Sequence, residues 1–230
     1  LVKRIYLPEG IYRISSVTFP QSVQLAGAGK WSTILKTTTT TGNVITFGGH
    51  GSGIRDIGFD ATANRTSGAF VVTGNWRYLF LKDLHFTKYF LGIDVDGAIG
   101  VDIAGISALD GTPSSVSSGG ALIRLGNTSY TGSINIYDVV ADVNNPANQP
   151  SAGIRMKYVD VVSMDGVLII HHGNPLEMVP ASGQTTSLVA IANSCFDTSS
   201  GRGLYVAPAA GGVVTRNSWA NCTFSANTLD

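Results

Sequence analysis

A six-residue pattern recurs along the chain: apolar, any, then Asn, Asp or Gly, then apolar or small, any, apolar. It reads IRDIGF (Ile54 to Phe59), LKDLHF (Leu81 to Phe86), IAGISA (Ile103 to Ala108), IYDVVA (Ile136 to Ala141), MDGVLI (Met164 to Ile169), IANSCF (Ile191 to Phe196) and WANCTF (Trp219 to Phe224). Successive copies are 27, 22, 33, 28, 27 and 28 residues apart, and an upstream LAG (Leu25 to Gly27) extends the series to an eighth member. A fixed period of this length decides an architecture more firmly than local propensity does. The third position holds Asp56, Asp83, Gly105, Asp138, Gly166, Asn193 and Asn221. These residue types enter left-handed backbone geometry at little cost, so the pattern predicts one tight bend with positive φ in every repeat, Gly27 included.

A second pattern, small-apolar-any-apolar, falls between the bends, as in GAFVV (Gly68 to Val72), GIDV (Gly92 to Val95), GALIRL (Gly120 to Leu125), GIRM (Gly153 to Met156), PLEM (Pro175 to Met178) and GLYV (Gly203 to Val206). Each repeat therefore holds three short strands of period two: one before the bend, one after it, and this third one beyond a longer connection. Helices do not fit, because β-branched and aromatic residues alternate with polar ones, and Gly, Ser, Thr and Asn interrupt every 8 to 12 residues. The expected fold is all-β: a right-handed single-stranded parallel β-helix of three strands per coil and eight or nine coils. Rungs stacked at ~4.8 Å give a rod of about 40 Å. Residues 1–230 read as one such domain, expected to be a segment of a longer chain. The connections before the third strand vary most, as in Leu109 to Gly120 and Asp142 to Gly153, and the side of a solenoid that takes insertions is often the binding side.

Composition narrows the function. Fifteen basic and fifteen acidic side chains balance, and no basic stripe appears, which argues against a nucleic-acid partner. No window reaches the ~20 uninterrupted apolar residues of a membrane span, so no membrane insertion is expected.

The opening phrase Ile5 to Leu35, followed by coils with an Asn/Asp bend, resembles the pectin-lyase-like right-handed β-helix superfamily, and within it the bacteriophage tailspike and capsular depolymerase branch. The resemblance implies that the third strand belongs to the sheet that binds polysaccharide. It implies a homotrimer on a virion tail that recognises, and often hydrolyses, capsule, O-antigen or exopolysaccharide; no cofactor is expected for this chain. Two other readings stay open: a receptor-binding or structural β-helix that holds glycan without cutting it, and a secreted bacterial polysaccharide lyase.

Strand alternation turns the "any" position of each third strand outward, giving a ladder of Asp94, Arg124, Arg155, Glu177 and Tyr205, with Phe70 expected to precede it. Carboxylates and guanidinium forks bond sugar hydroxyl and carboxyl groups, while a flat ring covers an apolar sugar face. The competing reading is a surface ladder of ordinary ion pairs, Asp94 with Arg124 and Arg155 with Glu177. The catalytic candidates are Asp94 and Asp96 of GIDVDG, expected to face outward from one strand with backbones about 6.6 Å apart, a spacing that an inverting pair of carboxylates would accept. Glu177, about three rungs or 14 Å from Asp94, would serve a different sugar subsite, and Asp165 and Asp197 rank below it.

The stretch GIRMK (Gly153 to Lys157) is similar to the Arg-Ile-Lys signature of polygalacturonases, which implies that Arg155 and Lys157 bind uronate or sialic acid groups. The aspartate motifs of that family are absent, and Gly49-His50-Gly51 reads as a turn. His171 and His172 lack further metal ligands of convincing spacing, so no metal site is expected. Cys195 and Cys222 align outward and inward on the coil and are expected to be free thiols. Trp31, Trp76 and Tyr89 are candidates for exposed aromatics at a trimer contact.

Overall fold

The computed structural model describes residues 2–115, 117–143, 149–198 and 201–226. All regular structure among them is β-strand, and every strand pairing is parallel. The chain winds as a right-handed parallel β-helix. One fifteen-stranded sheet follows a path of nine stacked strands from Lys3–Leu7 to Val213–Thr215. An eight-stranded sheet runs from Val17–Phe19 to Leu204–Val206. The larger sheet forms two of the three sides, because strands such as Arg77–Phe86 continue through a bend and change side within one element.

The bends fall where the pattern puts them. Asp56, Asp83, Gly105, Asp138, Gly166, Asn193 and Asn221 all have positive φ, between 47° and 63°. Gly27 does not: it faces Asp56 across the rung, and an added Cβ would lie 2.2 Å from the Asp56 carbonyl oxygen. Glycine is needed there for close approach rather than for a left-handed turn.

A second column of positive φ lies five residues before the first: Gly51, Tyr78, Gly100, Ser133, Val161, Leu188 and Arg216. No residue preference announces it. Between the two bends of each coil runs a four-residue side. Its inward positions stack Leu25, Ile54, Leu81, Ile103, Ile136, Met164 and Ile191 in register down the axis. All seven are at least 96% buried, and burying each aliphatic side chain contributes about 1.5–3 kcal/mol. Phe59 and Phe86 stack on adjacent coils at 5.3 Å between ring centroids.

Two expectations about the eight-stranded sheet need correction. Phe70 is completely buried in the main core, and the residue that precedes Asp94 in the outward column is Val72. Alternation breaks at the start of that strand, since Phe70 and Val71 both pack inward. Asp96 lies beyond the strand Leu91–Val95 instead of on it. Of the three aromatic candidates only Trp31 is exposed; Tyr89 is fully buried and Trp76 packs partly against the core.

Candidate functional site

The predicted ladder exists in perfect register. Val72, Asp94, Arg124, Arg155, Glu177 and Tyr205 are direct partners on six successive rungs. A parallel rung spacing of ~4.8 Å forces neighbouring side chains into contact, and the order acid, base, base, acid decides how they pair. The two arginines turn away from each other. Arg124 forks onto Asp94, with Nε to Oδ1 at 2.8 Å and Nη2 to Oδ2 at 2.7 Å. Arg155 turns to Glu177, with Nε to Oε2 at 2.5 Å, and donates from Nη1 to the Gly119 carbonyl at 2.6 Å. Asn174 Nδ2 supplies the other Glu177 oxygen at 2.8 Å. Side-chain exposure is 13% for Asp94 and 6% for Glu177, against 21% for Arg124. Each acid is thus less exposed than its own arginine, and Arg124 holds the more accessible side of its pair.

Asp96 closes a turn. Its Oδ1 accepts from the amides of Thr128 at 2.9 Å and Ser129 at 2.7 Å, and its Oδ2 accepts from the Thr128 hydroxyl at 2.5 Å. Lys157 follows two coils along and donates to Asn127 Oδ1 at 2.9 Å, so both residues brace the same connection. Burial, and then the nearby Arg124 and Arg155 cations, push the Lys157 ammonium below its ordinary pKa, against the opposing pull of Asp96 and Asp94. Tyr205 caps the ladder, with the Arg202 guanidinium 5.7 Å from its ring centroid. The structure thus brings Asp94, Arg124, Arg155, Glu177, Lys157 and Tyr205 onto one side.

Every carboxylate of this group acts as an acceptor from cations or amides. A general acid must instead carry and donate a proton, and none of these bonds calls for a carboxyl proton. Arg124 and Arg155 each keep N–H groups beyond the two shown bonding, in a geometry fixed by the acids on the adjacent rungs.

A second assembly was not singled out from sequence. On the outer surface of the side between the two bends, three clefts of about 610, 530 and 340 Å³ run end to end, sharing Asp102 at one junction and Ser163 and Asp165 at the next. Small residues such as Ala26, Ala190 and Ala192 keep the trough open. Its first section carries Arg4, Tyr6, Arg55, Phe80 and Lys82. The Phe80 ring lies over Gly53, where any Cβ would meet ring carbons at 2.6 Å. Lys82 Nζ stands 5.9 Å from the Tyr137 ring centroid and 3.9 Å from Asp102. The second position of the six-residue repeat, which is Arg55, Lys82, Tyr137 and Asp165 on four of its coils, is the signal that would have found it.

The other sequence candidates lie apart. Gly49-His50-Gly51 is a turn, and His50 Nδ1 accepts the Arg77 amide at 3.0 Å. Cys195 and Cys222 are free thiols; Cys222 packs against the core, and Cys195 stands in the outward column with Leu168. Asp197 accepts the Ser225 hydroxyl on the next coil at 2.7 Å. Among the described residues no three His, Cys, Asp or Glu side chains converge as a metal site, and no helix is long and apolar enough to cross a membrane.

No protein-family model and no curated protein matches the sequence. Solved structures do match the fold. ORF18 of Geobacillus virus E2 aligns over 96% of this chain and 55% of its own, at 14% identity and a TM-score of 0.51. The catalytic unit of a thermostable GH87 α-1,3-glucanase from Streptomyces thermodiastaticus strain HF3-3 aligns over 99% and 65% respectively, at 14% identity and a TM-score of 0.34. A GH87 α-1,3-glucanase catalytic domain in complex with nigerose aligns over 94% and 65%, at 14% identity and a TM-score of 0.35. The chain spans about half the length of the viral protein. At 14% identity the likeness to the viral protein shows a shared fold and nothing finer.

Proposed function

We propose that this chain is a polysaccharide-recognising β-helix of the phage-tail type, binding bacterial capsule, O-antigen or exopolysaccharide through the ladder face. The observation that carries the reading is the in-register column from Asp94 to Tyr205. Two guanidinium groups are fixed there by acids on the adjacent rungs, and an aromatic ring closes the column. Such a column offers rigid donors and a flat apolar surface at repeated spacing, which suits a polymer with a repeated unit. A homotrimer on a virion tail is the assembly that goes with this reading.

Recognition is favoured over hydrolysis because Asp94, Asp96 and Glu177 are all engaged as acceptors. The test is a panel of purified capsular, O-antigen and exopolysaccharides, measured in parallel by calorimetric binding and by release of reducing ends. Binding without new reducing ends, lost in Arg124→Ala and Tyr205→Ala proteins, is the expected result. Reducing ends released by the parent protein and abolished in Asp94→Asn or Glu177→Gln proteins would replace recognition with hydrolysis. Products with unsaturated ends, read by ultraviolet absorption, would replace it with a lyase. Failure to bind any member of the panel would remove the reading.

A further inference from the structure

We infer that the trough between the two bends is a second glycan site, and that its first section takes the acidic groups of an anionic polysaccharide. This rests on the polysaccharide-binding reading above, but on a different side of the rod and on different residues. The ladder face satisfies its own charges, whereas the trough does not. Arg4 is exposed and makes no bond among the described residues. Arg55 stands 3.7 Å from Asp56 and Lys82 stands 3.9 Å from Asp102, both beyond hydrogen-bond distance. Three cations within one cleft of about 610 Å³ are therefore held by protein acids only loosely or not at all.

The same cleft supplies flat surface. Tyr6 is 64% exposed, and Phe80 lies across the strand because Gly53 leaves it room. Tyr6 and Arg55 face the same way, separated along the axis only by Ala26, and Arg4 and Phe80 are likewise separated by Gln24 and Gly53. Cations and rings thus occupy two outward columns over four rungs, with Gln24, Ala26 and Gly53 between them. A neutral sugar would use the rings but leave three cations with only the loosely held Asp56 and Asp102 carboxylates as counter-charge. An anion without sugar faces would use the cations and leave the rings wet. A chain of uronate, or of similarly carboxylated or sulfated sugars, uses both.

Charge along the chain agrees. Ten of the fifteen Lys and Arg but only four of the fifteen Asp and Glu come before residue 91, so the first coils are strongly basic. From the junction at Asp102 onward the accessible charges are Asp102, Asp138 and Asp165, which would repel carboxylate. The anionic stretch therefore belongs at the Arg4, Arg55 and Lys82 end.

The experiment titrates the full chain with polygalacturonate oligosaccharides, with neutral dextran oligosaccharides, and with poly-L-glutamate as an anion without sugar. The comparison is an Arg4→Ala/Arg55→Ala protein, with Arg13→Ala as an exposed cation elsewhere. The expected result is binding of polygalacturonate that weakens with salt and falls about tenfold or more in the double variant, but not in the Arg13 variant. Dextran binding should be weaker and unaffected by the double variant. Equal affinity for poly-L-glutamate and polygalacturonate would overturn the inference, leaving only a cationic patch. Unchanged polygalacturonate affinity in the double variant would overturn it too, while leaving the ladder-face reading in place. Self-association of the parent chain that disappears in the double variant would assign the patch to the acidic coils of a second copy and overturn the inference. No binding to any polysaccharide would remove both readings.

Discussion

Tyr89 and His172, 83 residues apart in sequence, meet inside the protein with Oη and Nε2 2.9 Å apart, and neither ring is exposed. The tautomer follows from the partners. His172 Nδ1 lies 2.9 Å from the Ile170 carbonyl, which only accepts, so Nδ1 carries the hydrogen and Nε2 accepts from the tyrosine hydroxyl. Burial holds the His172 pKa down to about 4 and pushes the Tyr89 pKa up.

This geometry sets an acid limit. A histidine whose folded pKa lies below its unfolded value of about 6.5 costs nothing above that value and destabilises as pH falls from 6.5 towards 4. For His172 the full effect is on the order of 3 kcal/mol, and His85, also held down to about 4 by burial, adds in the same direction. Urea midpoints measured from pH 7 to pH 4 should fall through this window, and a His172→Gln protein should show a shallower slope.

Arg155 and Glu177 form the less exposed of the two ladder pairs. Arg155→Ala leaves a carboxylate at 6% exposure without its cation, and the expected loss is about 3–5 kcal/mol. Replacing both residues, Arg155→Leu with Glu177→Leu, should restore most of it, since the buried charge is then gone. Chemical denaturation of the two proteins against the parent makes the comparison.

Val161 sits in the second bend column with φ of 56° and is 49% exposed. A β-branched residue is poorly suited to that geometry and gains little from burial there. Val161→Asn is expected to stabilise the protein by about 1 kcal/mol, read as a higher denaturant midpoint with unchanged slope.

Arg65 is a fully buried cation held by three carbonyls and, more distantly, by the Thr39 hydroxyl. It donates to Thr39 O at 2.8 Å, to Ser67 O at 3.3 Å and to Gly42 O, and stacks 5.1 Å from the Phe70 ring centroid. Arg65→Met strips donors from three carbonyls at once and should cost about 3 kcal/mol or more. Arg65→Lys should recover little, because one ammonium does not reproduce the fork. Thermal unfolding, together with protease cutting near Thr39 to Gly42, would register both.

The winding, the first bend column and the ladder register were legible in sequence because each depends on residue type at a fixed spacing. Asp, Asn and Gly mark a left-handed turn by their own preference, and the outward residue of each third strand follows from alternation once the repeat is aligned. The second bend column was not legible. Tyr78, Ser133, Val161, Leu188 and Arg216 take positive φ because the coils above and below turn there, and nothing in those side chains asks for it. Phe70 was misplaced for a related reason, since two successive inward residues break the rule that placed Asp94 correctly. The bonding of Asp96 was hidden because its partners, Thr128 and Ser129, lie on the following coil in a connection whose course no short-range pattern fixes. The trough went unnoticed because the cations and rings of its first section are spread over four coils as unremarkable surface residues.

The register of the ladder has a consequence for how such a rod changes length. Each rung answers chiefly to the rung on either side, so duplicating one entire turn adds a step and lengthens both surfaces without disturbing the rest. Deleting a single residue within a strand does the opposite, because every partner beyond it then swaps inside for outside. Variation in this molecule is thus permitted in units of a whole turn or within the connections, and hardly anywhere between.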